Sequence, residues 1–146
     1  MATGTASPVE VLEQCKTIAV VGASKNPEKE ACTVPLYLQE HGYRIIPVNP
    51  TASEILGERA YPSLLDVPEE VGRMVDVVEV FRPSDELPQV ALQAAEMKRR
   101  YGRPLVFWAQ QGLESEEAKA ILERNGIQYV MDACMRAVHR TYVKTA

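Results

Sequence analysis

The sequence predicts one α/β domain, a doubly wound and mostly parallel sheet with helices on both faces. Three observations predict it. Short β-branched runs alternate with helical patterns along the chain. The runs are continuously apolar, the pattern of strands buried on both faces. The first run, Thr17-Ile18-Ala19-Val20-Val21, breaks at Gly22 and continues as Ala23-Ser24-Lys25-Asn26-Pro27, as a strand does where it turns into a helix beneath a phosphate. With 146 residues, 46% of them hydrophobic, the chain has the size of one domain with a full core.

The elements follow in order. After Gly22, Pro27 and Pro35 interrupt the segment leading to Val34, Tyr37, Leu38 and His41. An interior proline removes a donor and clashes with the preceding turn, so this helix is expected to start late, with Pro35 near its first turn. His41 suits its last turn and Gly42 its cap. Residues 43–48 read as the second strand. Residues 51–70 read as a connector with a helical turn at 53–56, a brief extended piece at Ala60-Tyr61, and Pro62 and Pro68 as punctuation. A strand is expected at 75–81. Residues 83–100 then place Leu87, Val90, Ala91, Ala94 and Ala95 on one helical stripe, the spacing of a helix lying on a sheet. After a strand at 105–108, Ser115 can cap a helix with Glu116 and Glu117 in its first turn, Arg124 in its last and Gly126 at its exit. That helix would bury Ala118, Ile121 and Leu122, and a last strand is expected at 128–131. The tail 135–143 mixes apolar and basic residues, and two uses stay open for it: packing on a second copy, or covering its own sheet edge. The chain divides into an N-terminal segment, 1–14, and one domain, 15–146, with right-handed crossovers.

Composition removes several functions. A net charge of -4, with basic residues grouped only at Lys98-Arg99-Arg100 and at 136–140, argues against nucleic acid as a partner. No apolar run has the length of a membrane span. The start, Met1 to Pro8, has neither a charged nor an apolar signal region, so the expected compartment is the cytoplasm. Cys15, Cys32 and Cys134 are odd in number and widely spaced, and only two histidines accompany them. Neither a disulfide framework nor a metal site is expected, and the thiols read as small reduced apolar residues. Cys134 stands out because Asp132 precedes it and His139 follows. The pair could serve as nucleophile and base, yet spacing along a tail establishes no contact, and no catalytic residue is assigned.

Open α/β sheets bind ligands at the carboxyl ends of their strands, where strand order reverses. Four strand ends here carry unusual residues: Gly22-Ala23-Ser24-Lys25, Pro47-Val48-Asn49-Pro50, Phe81-Arg82-Pro83-Ser84 and Trp108-Ala109-Gln110-Gln111-Gly112. Singly, each reads as ordinary turn or core chemistry. Together they describe one crevice. A dinucleotide loop needs two further glycines, where this chain has Ser24 and Pro27, and an acid at the second strand end, where it has Asn49. An NAD(P)-binding sensor or oxidoreductase is therefore the weaker alternative. The loop instead offers the Ser24 hydroxyl, backbone N–H groups, Lys25 and Lys29 to phosphate oxygens, diluted by Glu28 and Glu30. Pro50, Phe81 and Pro83 could cover a purine face.

The series 18–27, Tyr37-Leu38, His41-Gly42-Tyr43, Ile46-Pro47-Val48-Asn49-Pro50, Ile55-Leu56-Gly57-Glu58, Tyr61-Pro62-Ser63-Leu64, Val80-Phe81-Arg82 and Val130-Met131-Asp132 with Cys134 resembles the small stand-alone CoA-binding proteins. These are in turn similar to the CoA-binding domain of the succinyl-CoA synthetase alpha subunit and of related ADP-forming acyl-CoA synthetases. The resemblance runs from about Cys15 to His139. It implies a Rossmann-like domain that binds coenzyme A or an acyl-CoA, a small-molecule ligand, without catalysis of its own; a homo-oligomer is left open. It further implies that Gly22, Ala23, Ser24 and Lys25 contact the CoA phosphates, that Val48, Asn49 and Pro50 line the nucleotide crevice, and that Phe81, Arg82 and Pro83 form its other wall. The synthetases carry their phosphorylated histidine outside this domain, and this chain is expected to lack that second part. Where many relatives read Asp-Arg-Cys, it reads Asp132-Ala133-Cys134.

Overall fold

Five strands form one fully parallel sheet: β1 (Thr17–Val21), β2 (Arg44–Val48), β5 (Val77–Val80), β6 (Val106–Ala109) and β7 (Gln128–Val130), side by side in the order β2-β1-β5-β6-β7. The computed structural model describes residues 4–143. Residues 1–3 of the expected N-terminal segment and 144–146 of the expected domain lie outside the described residues. In register, Val21 pairs with Val48 on one side and with Val80 on the other, so the C-terminal ends of β1, β2 and β5 finish level. Counted along the chain, the strands stand 2-1-3-4-5, a doubly wound order that reverses direction between β1 and β5. The architecture is Rossmann-like.

Helices cover both faces. On one face Ala19, Val21, Val78, Val80 and Phe107 pack beneath α4 (Leu87–Tyr101) and α5 (Glu116–Arg124). The predicted stripe Leu87, Val90, Ala91, Ala94 and Ala95 is the buried side of α4, and Ser115 Oγ caps α5 by accepting from Ala118 N at 3.0 Å. On the other face Ile18, Val20, Val77 and Trp108 meet α1 (Pro8–Gln14), α2 (Glu30–Glu40) and α6 (Met135–Tyr142).

Two local readings change, and a third segment takes a definite form. First, α2 begins at Glu30, so Pro35 lies inside the helix rather than near its first turn. Without an N–H, Pro35 cannot bond the carbonyl of Ala31, and that carbonyl instead accepts from Ser24 N at 3.1 Å. A residue from the glycine loop supplies the donor that the proline removes. Second, residues 53–56 form no helical turn. They enter a hairpin of β3 (Glu54–Ile55) and β4 (Glu58–Arg59), whose two-residue turn has Leu56 and Gly57 both at positive φ, 56° and 76°. Burial of Ile55 holds it in place. Third, the tail forms α6, which packs on α1 and α2 of its own chain and covers a sheet face. The connector also contains a 3₁₀ turn at Leu64–Asp66 and a short α3 (Glu69–Gly72).

Candidate functional site

A cleft of about 510 Å³ opens at the reversal point between β1 and β5, where the sheet order makes two neighbouring crossovers leave in opposite directions. Its floor and near wall come from the loop after β1. Gly22 has φ +88°, and a Cβ there would lie 3.0 Å from both the Phe81 carbonyl oxygen and Arg82 Cδ. Glycine is required twice over, for the left-handed turn and for the Arg82 stem that crosses it. Beyond it the loop braces itself: Ser24 Oγ accepts from Asn26 N at 3.0 Å, and Asn26 Oδ1 accepts from Glu28 N at 2.9 Å. Lys29 then stands at the N-cap of α2 without a side-chain cap, and Lys29 and Ala31 both face the cleft.

The end of β2 is tied to that loop by one side chain. Asn49 Nδ2 donates to the Ala23 carbonyl at 2.9 Å, while Oδ1 accepts from Thr51 N at 2.8 Å and Ala52 N at 3.0 Å. The amide works as donor and acceptor at once. Aspartate could not donate to Ala23, so the departure from the acid of a dinucleotide fold has a structural cause here. Pro50 follows, exposed at the rim.

At the end of β5, Phe81 N bonds the Val21 carbonyl at 2.9 Å, and the half-buried ring packs beside the α2 face. Arg82 runs past Gly22 to a two-point contact with Glu86, Nε to Oε1 at 3.0 Å and Nη2 to Oε2 at 3.1 Å. The far wall is α4 and the turn before it, contributing Glu86, Gln89, Val90 and Gln93, with Pro62 and Ser63 from the connector.

Of the ten residues singled out in the sequence, the cleft gathers Gly22, Ala23, Ser24, Val48, Asn49, Pro50, Phe81 and Arg82. Lys25 and Pro83 are exposed and do not line it. Lys29, one turn of loop further on, lines it instead of Lys25. The α4 residues were missed, although 86, 89/90 and 93 recur at helical spacing along the edge of the apolar stripe. The fourth strand end lies elsewhere. Trp108 is fully buried with Nε1 donating to the Ala133 carbonyl at 2.8 Å, and Gln110 Oε1 accepts from Met135 N at 2.9 Å, so this end holds the start of α6.

Among the described residues, the charged side chains lining the cleft are Lys29, Arg82 and Glu86. Lys29 makes no ion pair among the described residues, and Arg82 is paired with Glu86. One buried acid was also missed. Glu79 is fully buried in β5 between Val20 and Trp108, and neither carboxylate oxygen has a partner among the described residues. Burial pushes its carboxyl up to about 8. The signal was an acid inside the apolar run Val77-Val78-Glu79-Val80.

Cys134 and His139 do not form a dyad. Cys134 is the N-cap of α6, while buried His139 has Nδ1 2.9 Å from the Tyr37 hydroxyl and Nε2 without a partner. Burial, and then the nearby His41, hold the His139 imidazole below its ordinary range. Burial, reinforced by Asp76, raises the Cys15 thiol to about 11. Among the described residues no group of three or more His, Cys, Asp or Glu could hold a metal ion, and no helix is long and apolar enough to cross a membrane.

Residues 16–140 match the CoA binding domain family. The chain is 43% identical over 130 residues to the uncharacterized protein YneT of Bacillus subtilis (strain 168), covering 89% of this chain and 90% of that one. It is 36% identical over 83 residues to the ADP-forming acetate–CoA ligase II of Archaeoglobus fulgidus, a match covering 56% of this chain and 12% of the ligase. Among solved structures, a hypothetical protein from Pyrococcus horikoshii OT3 superposes with a TM-score of 0.83 at 34% identity, covering 94% of this chain and 90% of that one. The acetyl-coenzyme A synthetase 1 of Ca. Korarchaeum cryptofilum superposes with a TM-score of 0.65 at 28% identity, over 83% of this chain and 27% of the synthetase.

Proposed function

Because this chain belongs to the CoA binding domain family, we propose that its cleft binds coenzyme A or an acyl-CoA, in the cytoplasm and without chemistry of its own. The observation that carries this reading is the convergence of the Gly22 loop, Asn49-Pro50 and Phe81-Arg82 on one cleft at the reversal point of the sheet. In it, the Ser24 hydroxyl, Lys29 and Arg82 meet the phosphates, where a helix start and two cations favour negative charge. Lys25, exposed beside the loop, adds a weaker long-range attraction. Pro50 and Phe81 would cover the adenine face, and the exposed Pro83 follows them in the chain. Pro62, Val90 and Gln93, on the remaining wall, would be left for the pantetheine arm.

The ligases and synthetases that share this domain carry CoA chemistry in their names, and this chain spans only 12% of one and 27% of another. The proposed share of that chemistry is the holding of CoA. Against NAD(P), the side chain at the second strand end is an amide already spent on Ala23, Thr51 and Ala52, leaving no acid for a ribose diol there. Calorimetric titration with CoA, acetyl-CoA, NAD and NADP tests the reading. One-to-one binding of CoA and acetyl-CoA is expected. Clear NAD binding with no CoA binding at millimolar ligand would overturn it.

A further inference from the structure

Arg82 is the cleft's second cation, and it is already engaged. Its stem crosses Gly22 so closely that a Cβ there would sit 3.0 Å from Cδ, and its guanidinium ends on both oxygens of Glu86. Both partners line the cleft, with side chains 46% and 42% exposed. Such a half-exposed pair is weak, and a phosphate can compete for the same fork of donors. Gly22 makes the turn where the pyrophosphate of a nucleotide meets a doubly wound fold.

We propose that the Arg82–Glu86 pair is a strap across the cleft, in which Glu86 stands in for the ligand's pyrophosphate and releases Arg82 to it on binding. The inference rests on the CoA reading and deepens it. Glu86 thereby sets specificity: a ligand must carry a pyrophosphate to take the guanidinium from its internal partner, and a neutral one cannot. The cost of release also lowers affinity, since part of the new ion pair replaces an old one. With Lys29 as the other cation lining the cleft among the described residues, this exchange governs much of its charge selectivity.

A double-mutant cycle read by calorimetry tests the strap, with wild type, Glu86→Gln, Arg82→Gln and the double variant titrated with CoA and with dephospho-CoA. Glu86→Gln is expected to tighten both ligands about two- to fivefold, the scale of one half-exposed ion pair. Arg82→Gln is expected to weaken both. In the Arg82→Gln background the gain from Glu86→Gln should vanish, because the strap is already gone. A gain that persists there would mean simple repulsion by Glu86, and would overturn the strap. So would unchanged or weaker binding by Glu86→Gln alone. A gain confined to CoA would assign Arg82 to the 3′-phosphate and overturn the pyrophosphate assignment. Absence of CoA binding in all four proteins would overturn the CoA reading and the strap with it.

Discussion

Replacing Glu79 by Gln should stabilise the protein by an amount that grows with pH. Glu79 lies in the middle strand between Val20 and Trp108, fully buried, with both oxygens unpartnered. Its folded-state value of about 8 stands above the ordinary 4.5. The folded state therefore holds a proton that the unfolded state releases. Stability is full below pH 4.5 and is lost as pH rises toward 8, where burying the ionised form becomes the alternative. At about 1.4 kcal/mol for each tenfold change in proton affinity, the loss comes to about 3 kcal/mol at pH 7 and about 5 kcal/mol above pH 8. Glutamine keeps the shape and cannot ionise. The assay is urea unfolding of both proteins from pH 4.5 to 9, followed by circular dichroism and by fluorescence of the single tryptophan, Trp108, which neighbours the site. The difference in unfolding free energy should be close to zero at pH 4.5 and reach about 3 kcal/mol at pH 7. An offset that stays constant across the range would refute the argument, because it would locate the effect in packing.

Asn49→Asp should cost about 1 to 3 kcal/mol, since Ala23 loses its donor and gains a facing carboxylate. Ligand affinity should fall with it, and Asn49→Asp matching wild type in both respects would show that the Asn49 tie to Ala23 does not matter. Gly22→Val should be worse, by about 2 kcal/mol or more, because a β-branched residue at φ +88° is strained and its Cβ meets the Phe81 carbonyl, which cannot swing away. Wild-type thermal stability in Gly22→Val would remove the reason given for glycine. For His139 the sign is opposite to that for Glu79. Its folded-state value is lowered, so its contribution is present above pH 6.5 and is lost as pH falls below it. His139→Gln should flatten the acid limb of the stability profile, and an unchanged limb would place the acid sensitivity elsewhere.

The parts of the fold readable in the sequence are those where one local rule acts alone. Continuous runs such as Thr17–Val21 mark buried parallel strands, and the stripe from Leu87 to Ala95 marks the side of α4 that lies on the sheet. The rest depends on partners remote in sequence. Pro35 breaks a helix only if nothing compensates, and here Ser24 takes the carbonyl that it strands. The hairpin at 54–59 turns on Leu56 at positive φ, which no turn signature announces. Helix α6 carries no side-chain cap, so its start was invisible. In the cleft, residues at strand ends were legible because strand direction delivers them there. Lys29 replaced Lys25 because the path of the loop is set by hydrogen bonds through Ser24 and Asn26. Gln89 and Gln93 were hidden as the polar border of a helix whose apolar stripe drew attention.

A crystal structure of the complex with CoA decides whether the cleft at the β1–β5 reversal point holds the ligand. Difference density for the pyrophosphate is expected within hydrogen-bond reach of Ser24, Lys29 and Arg82, with the adenine next to Pro50 and Phe81. Arg82 should be turned away from Glu86. Density for CoA outside this cleft, or an empty cleft that fills with NAD under the same conditions, would overturn the reading.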